Sequence, residues 1–479
     1  MTTQQNTSAQ LDGIPTDSPQ SLPQTPPYPN HANHSHAGTP RLDRRRFLTS
    51  LGVLGATGAA SALGLSACQR TSEPTPTANA DTRAASGNAN TSQVADKNEN
   101  PKHAGSDANS AKNCFADSQY DFFGQHQAGI TTPTQRQNYF LVLDLHTTDR
   151  AAIVQMFKDW TDYAAKLTQG DNIKPYNDSP FVPPVDTGEA DSLGAYGLTL
   201  TFGISPSFLT KLGMDKLAPP EFADLPSFPR DQIRPALSGG DICIQACAED
   251  AQVAFHAVRQ LVRQARSNVT LRWSQMGFVS FDSGNDTPRN LFAFKDGTAN
   301  QDTIKAADDN IWVSQGWLKD GTYLVVRLIQ MHLETWDRTS LKGQEETFGR
   351  HRESGAAIGK TGEFEDFDVN ASAPNGKLLV PETSHMGLAK RTGLHMLRRS
   401  YSYASGIDPR TGQFDAGLLF ISFQKSPAQF IGIQNALGRL DKMNEYTTHI
   451  GSGLFACFGG VAPGQYIGQA LFEQAENMA

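Results

Sequence analysis

One order of strands and helices occurs twice in this 479-residue chain, and it limits what the chain can fold into. In the first half, residues 139–145 read as a strand and 151–167 carry the apolar spacing of a helix. Residues 198–202 and 241–247 read as further strands. An amphipathic helix follows over 251–265, with Val253, Ala254, Ala257, Val258, Leu261, Val262 and Ala265 on one face, and then a strand over 269–273. In the second half, strands over 323–333, 394–403, 417–423 and 453–458 alternate with helices over 341–348 and 430–440. Each half therefore runs strand, helix, strand, strand, helix, strand. Two such units predict an α+β chain of tandem ferredoxin-like (βαββαβ) domains, with boundaries at 119–285 and 286–479. No short sequence repeat accompanies the order.

The residues before the first unit cannot build a core. Apolar residues make up 38% of the chain, and the first 115 positions cause much of that deficit. Residues 1–42 are Pro, Gln, Ser, Thr, Asn and His with almost no aliphatics, which predicts disorder. His31, His34 and His36 fall there and read as solvated. Asp43-Arg-Arg-Arg-Phe-Leu-Thr49 and a mild Gly/Ala-rich run to Leu65 follow, the pattern of a twin-arginine export signal. The run is too rich in Gly, Ala and Ser to make a good membrane span. It ends Leu65-Ser-Ala-Cys68, which fits a lipobox with Cys68 acylated; ordinary cleavage after Ala67 is the other reading. Residues 69–118, with His103 and Cys114, have the composition of a flexible tether. These features predict an exported, cell-envelope protein, lipid-anchored through Cys68.

Cys243 and Cys247 share one predicted strand, where four residues span about 13 Å, too far for a disulfide. With Cys457 they read as small core residues. The net charge of −8 leaves no footprint for nucleic acid.

Between the two units lies Leu291-Phe-Ala-Phe-Lys-Asp-Gly-Thr-Ala-Asn300. Two aromatic residues before Asp296 predict burial, which perturbs a carboxylate, and the small residues after it would let a flat ligand approach the backbone. An Asp-Gly turn between strands is the plainer reading. The irregular stretch 350–391 is long for a compact domain, as functional segments often are. It contains His385, on a loop approaching a strand. Arg398 and Arg399 follow, facing opposite sides of that strand, so only one can enter a given cavity. His256 and His332 read as structural. The chain has no Cys-x-x-Cys-His, Gly-x-Ser-x-Gly or phosphate-loop motif, which removes c-type haem, most hydrolase and nucleotide readings.

Ala293-Phe-Lys-Asp-Gly-Thr-Ala-Asn300, His385 and Leu397-Arg-Arg-Ser-Tyr-Ser-Tyr403 together resemble the dye-decolorising peroxidase family. Gly124-Gln-His-Gln-Ala-Gly-Ile130, Thr287-Pro-Arg-Asn290, Glu334-Thr-Trp-Asp-Arg338 and Phe414-Asp-Ala-Gly-Leu-Leu-Phe420 add to it, in order, from about 120 to 460. Within the family the chain looks most similar to exported deferrochelatase/peroxidase subunits of ferrous-iron uptake systems.

The resemblance implies one haem b per chain in the second domain, with His385 as the axial ligand. It implies Asp296 as the distal acid–base group and Arg398 as the distal cation. Peroxide cleavage needs one oxygen to lose a proton and the other to gain one while negative charge develops, which suits that pair. Gly297, Thr298 and Ala299 would lie against the porphyrin, and Arg391 would pair with a propionate. A ligating imidazole wants an acceptor for its other nitrogen, and Asp415, the nearest downstream carboxylate leading into a core strand, is the expected one. Implied partners are hydrogen peroxide, small electron donors or haem, an iron permease, and further copies of the chain. Three readings remain open: a peroxidase, a protein that removes iron from haem and leaves the porphyrin intact, and a non-enzymatic haem-transfer lipoprotein. Ala293 departs from the family's Gly; if that position needs positive φ, Ala costs roughly 1 kcal/mol.

Overall fold

The computed structural model describes residues 115–173, 179–282 and 286–478. The expected export signal, Cys68, Cys114, His103 and the three leader histidines lie outside the described residues. Among the described residues no helix is long and apolar enough to cross a membrane.

The elements follow the predicted order and add to it. The first half runs β1 (Gln137–Leu145), α1 (Arg150–Leu167), β2 (Thr199–Ile204), α2 (Pro206–Lys211), β3 (Ile242–Ala248), α3 (Ala251–Ala265) and β4 (Val269–Phe278). After the Asp296 stretch come α4 (Asn300–Lys305) and α5 (Ala307–Asn310). The second half runs β5 (Thr322–Met331), α6 (Leu333–Trp336), α7 (Leu341–Phe348), α8 (His385–Arg391), β6 (Leu397–Arg398), β7 (Tyr401–Ile407), β8 (Phe414–Gln424), α9 (Pro427–Leu440), β9 (Thr447–Cys457) and α10 (Gln469–Asn477). Several starts are set by side-chain caps. Asp149 and Asp250 each accept two backbone N–H groups at the head of α1 and α3, and Ser426 with Gln429 forms a capping box on α9.

The first half orders its strands β4-β1-β3-β2. The second repeats the pattern as β9-β5-β8, with β6 and β7 together as the outer strand. Strand β6 is the start of that edge rather than a separate strand, because the register to β8 passes unbroken through Arg399, whose N–H donates to Ile421 O at 2.9 Å. The single strand expected over 394–403 thus begins only at Leu397 and keeps one register to Tyr403. Short seams join the halves, Gly203↔Cys457 and Ile204↔Ala456 on one side and Phe278↔Ser402 on the other. With the β5–β8 pairing, these seams close all the strands into one ring.

Closure gives every strand an inner and an outer face. Phe140, Val142, Trp273, Leu324, Val326, Leu328, Leu419, Ile421 and Phe423 fill the inside. The outer face of the first half carries α1 and α3 over Leu141, Leu143, Phe202 and Ile244. Ile467, Leu471 and Phe472 join that same core, although they follow the second half in sequence. Phe472 meets Phe157 at 5.9 Å, and Ile467 N–H donates to Thr161 Oγ1 at 3.0 Å. The last helix therefore packs into a core that the two halves share, against Phe157 of the first and alongside Trp317 and Phe458 of the second. Cys243, Cys247 and Cys457 are free and buried, as expected. Cys243 and Cys457 face each other across Gly203, but on strands two ladder spacings apart, about 9.6 Å, beyond disulfide reach.

Candidate active site

The outer face of the second-half sheet has a different cover. Alternation along the strands puts Arg327 and Ile329 of β5, Leu418 and Phe420 of β8, and His449 of β9 on that face. Ile329, Phe420 and His449 are only half-buried, while their strand neighbours Leu328, Leu419 and Ile450 are fully buried. Side chains of that kind floor a cleft. Over the face lie α8, α9 and the Asp296 stretch.

The Asp296 stretch is fixed by its two aromatic residues. Phe292 and Phe294 are both buried; Phe294 stacks on Phe348 at 3.9 Å and Phe292 lies 4.5 Å from Trp336. Between them Ala293 holds φ +69°, so the departure from Gly does fall at a left-handed position. Asp296 N–H donates to Pro288 O at 2.8 Å, and Asn290 Nδ2 reaches the carboxylate at 3.4 Å. Gly297 then takes φ +118°, a conformation that L side chains rarely adopt. The chain turns here and leaves the carboxylate only 12% exposed.

That carboxylate meets Arg398. The two are 102 residues apart in sequence and form a direct ion pair, Arg398 Nη2 to Asp296 Oδ1. Leu397 and Arg399 point into the ring, so Arg398 points out onto the cleft face. Arg399 runs inward to Thr132 O, Pro133 O and Gln135 Oε1. Burial pushes the Arg398 guanidinium down to about 10, still a cation at neutral pH, and its Nε is buried without a partner. Asn300 locks the two segments together. Its Oδ1 accepts from Arg398 N–H at 3.0 Å and its Nδ2 donates to Arg398 O at 2.6 Å.

His385 is the first residue of α8, not a loop residue. Its Nδ1 lies 2.6 Å from Asp441 Oδ2, so Asp441 is the acceptor and the expectation of Asp415 is corrected. The reason is strand alternation: Asp415 shares a face with Leu419, Ile421 and Phe423, which point into the ring, whereas α8 packs outside. There Asp415 sits beside Tyr403, and its Oδ1 is buried without a hydrogen bond. Burial alone would lower the His385 imidazolium; the charge and hydrogen bond of Asp441 outweigh it and raise the group. His449, on the same face, is pushed down to about 3 by burial, then by the charges of Arg327 and His385, so it stays neutral. Arg391 is held by the backbone carbonyls of Glu382 and Val369. Thr298 Oγ1 donates to Glu363, and Ala299 is the exposed residue before α4.

Comparison with known proteins gives the family. The model of the Dyp-type peroxidase N-terminal domain matches residues 127–279, and that of the C-terminal domain matches 287–462. The chain belongs to the Dyp-type peroxidase family. The deferrochelatase of Escherichia coli K12 is 36% identical over 373 residues, covering 73% of this chain and 86% of that protein. That of Shigella sonnei is 37% identical over the same length. Among solved structures, the oxyferrous complex of DtpA from Streptomyces lividans superposes with a TM-score of 0.69 at 35% identity, covering 74% of this chain and 98% of that one. A DyP-type peroxidase from Cellulomonas bogoriensis gives 0.69 at 34%, covering 75% and 99%. As a member of this family, the chain is a haem b-dependent oxidoreductase acting on peroxide, with the family's α+β fold, which sets aside the non-enzymatic reading.

The residues on the cleft face fit a haem better than a bare ion. Among the described residues no group of three or more His, Cys, Asp and Glu is placed to hold a metal. A porphyrin brings four donors of its own and asks the protein for one. With Nδ1 committed to Asp441, His385 has Nε2 to offer, and no hydrogen bond claims it.

Sequence reasoning missed Asp441, Asn300 and His449. Asn300 was in view as the end of the motif, without a task. Asp441 had a faint signal as the carboxylate that closes the predicted helix 430–440, and it caps the turn that follows by accepting Met443 N–H at 2.8 Å.

Proposed function

We propose that this chain is an envelope peroxidase in which Asp296 and Arg398 cleave peroxide over a haem bound through His385, with small organic molecules such as dyes as electron donors. The meeting of Asp296 and Arg398 carries the reading. A largely buried carboxylate and a part-buried cation in contact are the two parts that peroxide cleavage asks of a protein. When bound, the haem supplies the two-electron redox chemistry. Asp296 takes the proton from one peroxide oxygen and returns it to the other. Arg398 holds the negative charge that develops on the departing oxygen. Asp441 keeps the His385 proton on Nδ1, which leaves Nε2 free and strengthens it as a donor.

The two halves, each with the strand order fourth-first-third-second, read as tandem ferredoxin-like units, with the haem on the outer face of the second. Gly297 and Ala299 would lie against the porphyrin edge. Similarity to proteins named deferrochelatase supports a second activity, removal of iron from haem for uptake through a permease. The twin-arginine and lipobox patterns support export and anchoring through Cys68.

Purified protein should show a Soret band that His385→Ala abolishes. Asp296→Asn and Arg398→Leu should keep the band and lose peroxide-driven dye oxidation by about 10²–10⁴-fold, the usual worth of a positioned acid–base group. Unchanged oxidation in both variants would remove the assignment. Porphyrin fluorescence after incubation with haem tests iron removal.

A further inference from the structure

The irregular stretch between α7 and α8 returns to the Asp296 motif at one side chain. Glu363 is 8% exposed; its Oε2 accepts from Lys295 Nζ and its Oε1 from Thr298 Oγ1 at 2.9 Å. Thr287 adds a further hydrogen bond. The backbone around Glu363 is tied down as well. Arg350 Nη1 donates to Glu363 O at 3.3 Å and to Gly355 O at 2.6 Å. Gly355, at φ +76°, lies so close to Lys295 that a Cβ there would sit 2.7 Å from Lys295 Cδ. Arg289 makes a parallel tie, from Ala293 O at 2.8 Å to Glu353 O at 2.7 Å. A segment needing only an anchor could attach anywhere on the surface. This one grips the residue before Asp296 and the second residue after it.

We propose that Glu363 is a positioning residue, which fixes the direction of the Asp296 carboxylate by holding Lys295 and Thr298 on either side of it. The inference rests on Asp296 being the proton shuttle. Gly297 lies between the two gripped residues, and at its φ only glycine is at ease, so without a brace it is a hinge. Glu363 removes that freedom. It also balances the Lys295 ammonium, which would otherwise stand as an uncompensated cation one residue from Asp296 and favour its ionised form. Arg398 and Asn300 hold the shuttle from one side; Glu363 holds it from the other.

The test compares Glu363→Gln, Thr298→Val and Asp296→Asn, with Glu365→Gln as the control, all in the full holoenzyme. Glu365 is on the same segment but bonds only to Lys360, Thr361 and Gly362. Glu363→Gln should lower kcat/KM for peroxide about tenfold, within the roughly 10²-fold that a 1 Å misplacement costs. It should move the acid limb of the pH–rate profile to lower pH and leave haem affinity unchanged. Hydrogen exchange of the 297–300 amides should speed up. Thr298→Val, which changes no charge, should lower the rate less and leave the acid limb in place. Adding Lys295→Met to Glu363→Gln should return the acid limb to its wild-type position. An unchanged profile and exchange in Glu363→Gln, or a loss of haem that accounts for the whole rate loss, overturns the proposal. If Asp296→Asn itself leaves oxidation intact, it is the shuttle assignment that fails instead.

Discussion

Ala293 is a residue whose cost the structure fixes. Its φ of +69° puts a Cβ where L residues pay about 1–2 kcal/mol, offset by roughly 0.4–1 kcal/mol for the smaller entropy of the unfolded chain. Ala293→Gly should therefore raise stability by about 0.5–1 kcal/mol, read from the denaturant midpoint, and a lower midpoint would refute the argument. His385 gives a second residue-scale expectation. Asp441 raises its imidazolium, so in haem-free protein the pair contributes stability that is complete below the ordinary value of 6.5 and fades as pH rises through the raised one. Binding iron requires the neutral ring, so haem affinity should increase as pH rises from the ordinary value of 6.5 through the raised one. Asp441→Asn should flatten that dependence and shift the reduction potential, whereas Asp415→Asn should do neither.

At the scale of elements, what could be read from sequence depended on periodicity. Strands β1, β3 and β5 are long apolar runs, and α1 and α3 have two or more turns of amphipathic pattern, so all five were legible. Helix α8 was not, because seven residues that include Gly387 give too short a period, and its N-cap Ser384 makes no side-chain capping bond. The site divides the same way. Asp296, His385 and Arg398 sit in compact motifs, while Asp441 and Glu363 reach them through the fold from 56 and 67 residues away. Glu363 in particular lies in a polar run where a carboxylate carries no signal. Asn300 offers the sharpest element-scale test. It alone supplies both hydrogen bonds between the head of α4 and β6, and Asn300→Leu leaves the Arg398 N–H and C=O without it. We expect a loss of about 1–3 kcal/mol in thermal stability and a larger loss in peroxide turnover. Intact turnover would mean that Arg398 is placed by its strand alone.

Among the described residues the strands of both halves join into one ring. The order within each half was legible, since each half sets its own. Closure was not, because it depends on seams of one and two residue pairs that no periodicity announces. The packing of α10 on α1 was hidden for a related reason, the great separation of Phe472 from Phe157 in sequence. Phe472→Ala should cost about 3–5 kcal/mol and loosen α1 first, visible as faster hydrogen exchange around Trp160. Loosening confined to β5 and β9 would contradict that packing.

That returning helix sets a timetable for the growing chain. Residues 137–278 leave the ribosome with all their strands but with the side of Phe157 that meets Phe472 uncovered, and they wait for residues 467–475 while the entire second half is made. At roughly 5–20 residues per second the delay is on the order of ten to forty seconds. Throughout it, the nascent first half presents an aromatic surface to whatever holds unfinished chains.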